Sequence, residues 1–474
     1  MSGQKYDYGM IGLGTMGRNL VFNMADHGFS VSGFDQDTKQ VDNLEKEKGT
    51  RNVHGTRSPQ EFVDSLKQPR VIMLLVPAGK IVDAVVNELK PLLSPEDLIM
   101  DCGNSHYTDT DIRTAALAKD NMHFMGVGVS GGESGARFGP SIMPGGNKDA
   151  YDRVAPMLEA VSAKVNNNEP CVAYLGTGSA GHYVKMVHNG IEYGLMQLIS
   201  EAYQLLKENG GLNNDELHEV FKTWNEGRLQ SFLISITADI FSQKDDLTGN
   251  RLIDMVLDSA GQKGTGAWTS EDAMALQIPI PVIDAAVTAR NLSGLKDIRV
   301  AAQQKLKGPE GVSKTDKKEL IALLEQALYF ATITTYAQGM ALLQRASVEY
   351  KYGLNLPEVA RIWRGGCIIR ATLLEPISAA YSQQPDIANL MLSDAIAVEL
   401  AGAQAGIRKT VGLAAEAGIP MPATMAALAY YDTYRHAWLP ANLLQAQRDY
   451  FGAHTYKRND REGVFHSHWN QKAE

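Results

Sequence analysis

The sequence predicts an α/β N-terminal domain over residues 1–178, a large all-helical domain with an internal duplication over 179–440, and a C-terminal tail over 441–474. Three observations lead there. Short apolar runs that stop at Gly, Pro, Asn or Ser alternate with helical patterns as far as Gly178. From Gly181 onward that alternation gives way to long stretches of helical periodicity. After Leu439 a short helix leads into a segment rich in aromatics, with Tyr450, Phe451, Tyr456, Phe465 and Trp469. A length of 474 residues suits two or three domains with a sizeable core.

The first element is a short strand ending at Tyr8-Gly9-Met10-Ile11. Gly12-Leu13-Gly14-Thr15-Met16-Gly17 follows, and then a helical pattern through Asn19, Leu20, Phe22 and Met24. A GxGxxG between strand and helix lets the backbone turn sharply and approach a pyrophosphate at the helix N-terminus. A second strand, Phe29–Phe34, ends in Asp35-Gln36-Asp37. Asp35 follows Gly17 by 18 residues, close to the spacing of an acid that grips a ribose diol. These residues are the dinucleotide-binding candidates of a Rossmann domain.

Further strands read as Val71–Val76, stopping at Pro77-Ala78-Gly79, then Leu98–Cys102, stopping at Gly103-Asn104-Ser105. Phe124–Val129 stops at Ser130-Gly131-Gly132. Open α/β sheets bind ligands at the carboxyl ends of their strands. That makes Val76, Pro77, Ala78 and Asn104 candidates for the cofactor, and Asn104 and Ser130 candidates near the nicotinamide or substrate. Turn chemistry alone also favours Asn, Ser and Gly.

Gly181 to Gly211 reads as one long helix closed by a Gly pair. Val184, Val187, Ile191, Leu195 and Leu198 share one face. Lys185, His188, Asn189, Glu192 and Tyr193 share the other. Lys185 and Glu192 stand about 10 Å apart along the axis, too far for the usual intrahelical ion pair. Two long side chains at that spacing can reach a small substrate from opposite ends. A solvated face usually pairs Glu with Lys at three or four residues and seldom gathers His, Asn and Tyr.

The helical region repeats landmarks. Gly211-Leu212-Asn213 precedes Trp224, and Gly353-Leu354-Asn355 precedes Trp363, about 140 residues later. The second copy puts Ala327, Phe330, Ala331 and Thr334 where the first has Lys185, His188, Asn189 and Glu192. Packing alone would tend to keep the polar stripe in both copies. Between the copies, Asp258-Ser259-Ala260-Gly261-Gln262-Lys263-Gly264-Thr265-Gly266 offers free N–H groups, a point charge and a hydroxyl to an anion. Arg290 adds a second charge.

Composition narrows the function classes. The charged fraction is 21% and the net charge −9, without a basic stripe, which excludes nucleic acid as a partner. No apolar run of membrane-spanning length is expected, and the polar opening MSGQKYDYG lacks a signal-peptide pattern. Cys102, Cys171 and Cys367 lie far apart, which fits a reducing cytoplasm and no metal or redox pair.

The stretches GLGTMG, DCGNS, GVSGGE, MPGGN, GHYVKMVHNGIEYG, DSAGQKGTGAWT, WRGGCIIR and LPANLLQAQRDYFGAHTY together resemble the long, decarboxylating 6-phosphogluconate dehydrogenases, across essentially the whole chain. The resemblance implies oxidative decarboxylation of 6-phosphogluconate in the cytoplasm, without a metal. It implies Lys185 as general base and Glu192 as general acid. Asn104, Ser130, Gly131, Gly132, His188 and Asn189 would surround the sugar acid. Tyr193, Lys263, Thr265 and Arg290 would bind its phosphate, helped by Arg448 and His454 from the tail of the other subunit in a homodimer. NADP-using members of the family typically carry Asn-Arg-Thr after the second strand, and commonly a Lys at the position of Pro77. Here Asp35-Gln36-Asp37 replaces the phosphate-binding guanidinium with carboxylates, so NAD is expected over NADP. Two alternatives share the scaffold: a β-hydroxyacid dehydrogenase that does not decarboxylate, and a non-catalytic NAD-binding sensor.

Overall fold

The computed structural model describes residues 4–310 and 314–469. Strands and helices alternate first: β1 (Tyr8–Ile11), α1 (Thr15–Asp26), β2 (Val31–Phe34), α2 (Thr38–Glu47), β3 (Val53–Thr56), α3 (Pro59–Ser65), β4 (Val71–Leu74), α4 (Lys80–Leu89), β5 (Leu98–Asp101), α5 (Tyr107–Ala118), β6 (His123–Ser130), α6 (Gly132–Phe138), β7 (Ser141–Gly145) and α7 (Lys148–Val161). These strands form one sheet in the order β3-β2-β1-β4-β5-β6-β7. All neighbours are parallel except β6 and β7. The strand order reverses between β1 and β4, which opens a crevice at the strands' carboxyl ends.

Alternation along the strands builds two cores, one on each face of the sheet. Met10, Met73 and Met100 join one apolar cluster with Leu20 and Val154. Their neighbours Ile11, Ile72, Leu74 and Ile99 join the other with Phe62 and Val82. The expected second strand starts later, at Val31, and two strands of this sheet lie beyond the sequence reading. One is β3. The other is β7, where Pro144-Gly145 reads locally as a turn but pairs antiparallel with β6 through Val127↔Pro144. β7 is an edge strand, which tolerates a residue without an N–H.

The helical region holds α8 (Ala180–Glu208), α9 (Asn214–Trp224), α10 (Phe232–Ser242), α11 (Thr265–Ala275), α12 (Pro281–Ser293), α13 (Lys296–Lys305), α14 (Lys317–Glu349), α15 (Leu356–Ile362), α16 (Leu374–Gln383), α17 (Asp394–Ala417), α18 (Pro422–Arg435) and α19 (Ala441–Gly452). The two long helices end in the same way. Asn213 caps α9 through the Glu216 N–H, and Asn355 caps α15 through the Glu358 N–H. Trp224 and Trp363 are both buried. Ala327, Phe330, Ala331 and Thr334 of α14 are core residues, so the second long helix is a packing element where the first carries ionisable groups.

Two compact units emerge, one through Ala427 and one from Leu428, the division falling inside α18. In the first unit the start of α8 lies directly on the sheet. A Cβ on Gly128 would come within 2.4 Å of the Lys185 Cβ, and one on Gly181 within 2.2 Å of the Gly126 carbonyl oxygen. Glycine at these positions is what allows the helix that carries Lys185 to touch β6.

One expectation needs correction. α14 is long and apolar enough to cross a membrane by length and composition alone. Of its most apolar window, 72% is buried inside the protein. A helix packed on both α8 and α17 is apolar all round because it is enclosed by protein.

Candidate active site

At the carboxyl ends of β1, β2 and β4 lies a cleft of about 570 Å³, lined among others by Gly12, Gly14, Asp35, Gln36, Asp37, Val76 and Pro77. The three fingerprint glycines do different work. Gly12 has φ +94°, and a Cβ there would sit 2.4 Å from the Leu75 carbonyl oxygen. A Cβ on Gly17 would meet the Gly12 carbonyl oxygen at 1.8 Å, so α1 packs on the turn only with glycine. Gly14 has open space beside it and caps α1 without a side-chain bond. The first N–H groups of a helix lack intrahelical partners. Open space plus those donors fits a pyrophosphate.

Asp35 is held in place. Its Oδ2 accepts from the Leu13 N–H at 2.7 Å and its Oδ1 from the Asp37 N–H at 2.9 Å. Asp37 caps α2 through the Lys39 N–H. Thr15 and Met16 lie in the first turn of α1, and Ala78 is exposed beside the cleft. Lys80, at the start of α4, also lines the cleft. Sequence reasoning missed it, although its position just after Pro77-Ala78-Gly79 was a usable signal.

The ionisable stripe of α8 is buried, not solvated. Lys185, His188 and Asn189 are all buried. Lys185 Nζ donates to Asn189 Oδ1 at 2.5 Å. His188 Nδ1 lies 3.2 Å from that same oxygen, and its Nε2 lies 3.4 Å from Ser130 Oγ at the end of β6. Glu192 Oε2 is 3.9 Å from His188 Nδ1. The buried Trp363 stands edge-on to His188, with centroids 5.6 Å apart. Thus Ser130, Lys185, His188, Asn189 and Glu192 form one connected group. Asn104 is exposed, past the end of β5, Gly131 lies between β6 and α6, and Gly132 opens α6.

Burial drives the electrostatics. It pushes the Lys185 amine below its usual range, with Glu192 and Cys367 opposing. It pushes the Glu192 carboxyl up, with Lys185 and Arg290 opposing. It pushes His188 well below its usual value, helped by Lys185 and opposed by the bond to Asn189. At Lys185 burial does the lowering, and the neighbouring groups oppose it. The result is an amine whose neutral form is accessible and a carboxyl whose protonated form is accessible. An amine lowered and a carboxyl raised, so that each can change protonation state nearer neutral pH, mark an acid–base site.

A third group lies one turn further along α8. The Arg290 guanidinium stacks on the Tyr193 ring at 3.5 Å and donates to the Gly261 carbonyl at 3.4 Å. Thr265 is buried at the start of α11, and a Cβ on Gly266 would meet the Tyr193 ring at 2.5 Å. Tyr193, Arg290 and the Gly261–Thr265 loop therefore converge, with Lys263 exposed on the loop.

In the second unit, Arg448 and His454 are exposed on and just after α19. Asp449 between them is buried and organises the segment. Its carboxylate accepts from the Thr455 and Ser467 N–H groups, His466 Nδ1 and Trp469 Nε1 at 2.9–3.0 Å. Burial alone would raise its pKa, but these bonds prevail and hold it down at about 2.

A doubly wound sheet with a glycine fingerprint, feeding a helix that carries a buried lysine opposite a carboxyl, defines a dinucleotide-binding dehydrogenase. The comparisons narrow that class. The NAD binding domain of 6-phosphogluconate dehydrogenase matches residues 7–176, and the 6-phosphogluconate dehydrogenase C-terminal domain matches residues 181–469. The chain belongs to the 6-phosphogluconate dehydrogenase family. A Bacillus subtilis (strain 168) relative, named 6-phosphogluconate dehydrogenase, NADP(+)-dependent, decarboxylating, is 52% identical over 98% of this chain and 99% of its own length. An Escherichia coli (strain K12) relative, named 6-phosphogluconate dehydrogenase, decarboxylating, is 50% identical over 98% and 99%. The solved Plasmodium falciparum 6-phosphogluconate dehydrogenase, described as apo and in complexes with NADP+ and with 6-phosphogluconate, is similar at a TM-score of 0.93 and 44% identity, covering 98% of this chain and 100% of its own.

Proposed function

We propose that this protein oxidatively decarboxylates 6-phosphogluconate to ribulose 5-phosphate and CO2 with reduction of NAD(P). The observation that carries the reading is the buried Lys185 amine, fixed by Asn189, seven residues before Glu192 on the same helix. When bound, the nicotinamide accepts the hydride from C3 of the substrate. Neutral Lys185 Nζ takes the 3-hydroxyl proton. The same group, now an ammonium, returns a proton to the ketone oxygen, which lets the β-keto acid lose CO2. Glu192 then protonates C1 of the enediol. Ser130, His188 and Asn189 orient the sugar acid together with Asn104, Gly131 and Gly132. Tyr193, Lys263, Thr265 and Arg290 hold its phosphate. The test is incubation with 6-phosphogluconate and either dinucleotide. Equal yields of reduced nicotinamide and CO2 are expected. Reduction without CO2 would favour the non-decarboxylating alternative, and no turnover the sensor.

Glu192→Gln is expected to slow release of ribulose 5-phosphate more than hydride transfer, because protonation at C1 comes last. Single-turnover absorbance and product quench read the two steps. Equal slowing of both would remove Glu192 from that role.

We also propose the boundaries 1–178, 179–440 and 441–474, a homodimer that shares its active site through Arg448 and His454, and a cytoplasmic location. Family matches that meet between residues 176 and 181 support the first boundary. Three buried cysteines without disulfides suit a reducing compartment.

The cofactor reading is NAD over NADP. Asp35 is locked as an acceptor at the cleft, which suits a diol and repels a phosphate dianion. The nearby Arg18 is engaged by Glu47 at 3.0 Å and by Gln40 at 3.3 Å. Lys80 and the cofactor named for the Bacillus subtilis relative weigh the other way. We expect kcat/KM to favour NAD by about tenfold or more, the scale of one lost charge-assisted contact plus repulsion. Asp35→Asn with Gln36→Arg should move the preference toward NADP. An unmodified protein that prefers NADP at the same ionic strength overturns the reading.

A further inference from the structure

Asp272 takes no part in the chemistry above, yet three phenols converge on it. Tyr107 and Tyr350 donate to its Oδ1 at 2.6 and 2.7 Å, and Tyr183 donates to its Oδ2. The carboxylate is buried, and a buried charge is unfavourable unless its lone pairs are filled. Each phenol comes from a different element. Tyr107 opens α5, directly after Asn104-Ser105-His106. Tyr183 sits in α8, two residues before Lys185. Tyr350 closes α14. Their rings pack with centroids 5.0–5.7 Å apart.

The location of Asp272 on α11 gives the cluster its meaning. α11 runs antiparallel along α8. Gly266 meets Tyr193, Thr269 donates to the Met186 carbonyl at 3.0 Å, and Asp272 meets Tyr183. Thr265 opens α11, and the stretch before it, residues 254–263, is exposed throughout. That stretch has no core of its own: Asp258, Ala260, Gly261 and Gln262 tie its outer part to α12 and α13, and α11 sets where Thr265 stands and from where the chain presents Lys263. Trp268 adds a second tie to the same loop of the sheet domain, edge-on to His106 at 4.9 Å.

We infer that Asp272 is a positioning residue for the substrate phosphate: it clamps α11 to α5, α8 and α14, and so fixes Lys263 and Thr265 relative to Asn104 and Lys185. The inference rests on the reading of Lys263 and Thr265 as phosphate ligands. A carboxylate is suited to the task because one group accepts from three elements at once.

The test is steady-state kinetics on the full-length protein, with inorganic phosphate as a competitive probe. Asp272→Ala should raise the KM for 6-phosphogluconate and the inhibition constant of phosphate about tenfold, with kcat within about threefold and the dinucleotide KM within about twofold. Asp272→Asn keeps an acceptor oxygen and should recover most of the loss. Tyr350→Phe removes one donor and keeps the ring, so it should shift the same two constants in the same direction by a smaller factor. It decides the question alone if Asp272→Ala does not fold. Lys263→Ala tests the underlying reading, because it must raise both constants if the loop binds phosphate. If Lys263→Ala raises them while Tyr350→Phe and a folded Asp272→Ala leave them unchanged, or depress kcat and both KM values alike, the positioning role is refuted. If Lys263→Ala leaves them unchanged, the phosphate reading itself fails.

Discussion

Lys185→Met is expected to abolish turnover while dinucleotide affinity stays within a few-fold of the unmodified protein. Methionine keeps the length of the side chain, and the packing of the Lys185 stem against Gly128 survives the change. What disappears is the amine, which acts twice in the proposed reaction, first as base at the 3-hydroxyl and then as acid at the ketone oxygen. A positioned acid–base group contributes about 10²–10⁴-fold, so a group used in two steps should leave residual activity at or beyond the low end of detection. The dinucleotide cleft is formed by β1, β2 and β4, and Lys185 does not line it. Binding of the cofactor, read by quenching of intrinsic fluorescence, should therefore persist. The sign of the pH dependence follows from burial. The Lys185 pKa is lowered, and the working form in the free enzyme is neutral, so kcat/KM should fall as pH drops below that lowered value. The Glu192 pKa is raised, and its working form is protonated, so the step it serves should slow as pH climbs above that raised value. Near-normal activity in Lys185→Met would remove Lys185 as the base.

Local chemistry was legible in the sequence, and long-range pairing was not. Gly12 and Gly17 could be read because the positive φ of the first and the contact of the second with the Gly12 carbonyl are set within the turn, and Gly14 because it leaves the start of α1 open. The spacing of Lys185 and Glu192 could be read because helical geometry is regular. The burial of that stripe could not, because it depends on β6 and β7 lying against α8. The lowered Lys185 pKa was hidden for the same reason, because the enclosing wall supplies it. Val53-His54-Gly55-Thr56 has no strand pattern of its own. It is extended because it pairs along its whole length with Val31–Phe34. Asp272 was invisible, since its partners lie 165, 89 and 78 residues away in the chain.

Removal of residues from Arg448 onward is expected to destroy substrate binding, and the loss should be recoverable by subunit exchange. The segment is built to present side chains outward. Asp449 ties α19 to Thr455, His466, Ser467 and Trp469, which leaves its neighbours Arg448 and His454 exposed. Leu443, Leu444 and Phe451 are exposed as well, at 60%, 63% and 73%, which is more apolar surface on one short helix than water favours. A second copy of the chain is the proposed cover. In a two-fold dimer each site would then combine the Lys185 of one chain with the Arg448 of the other. Lys185→Met and Arg448→Ala should each be inactive alone. In their heterodimer one site carries both defects and the other carries neither. Random exchange makes about half of the dimers mixed, so activity should return to about a quarter of the unmodified level. Tags on the two variants verify the exchange, and the assay follows reduced nicotinamide with 6-phosphogluconate. If exchange is complete and activity stays at zero, each site draws Lys185 and Arg448 from the same chain or does not use Arg448, and the shared site is wrong.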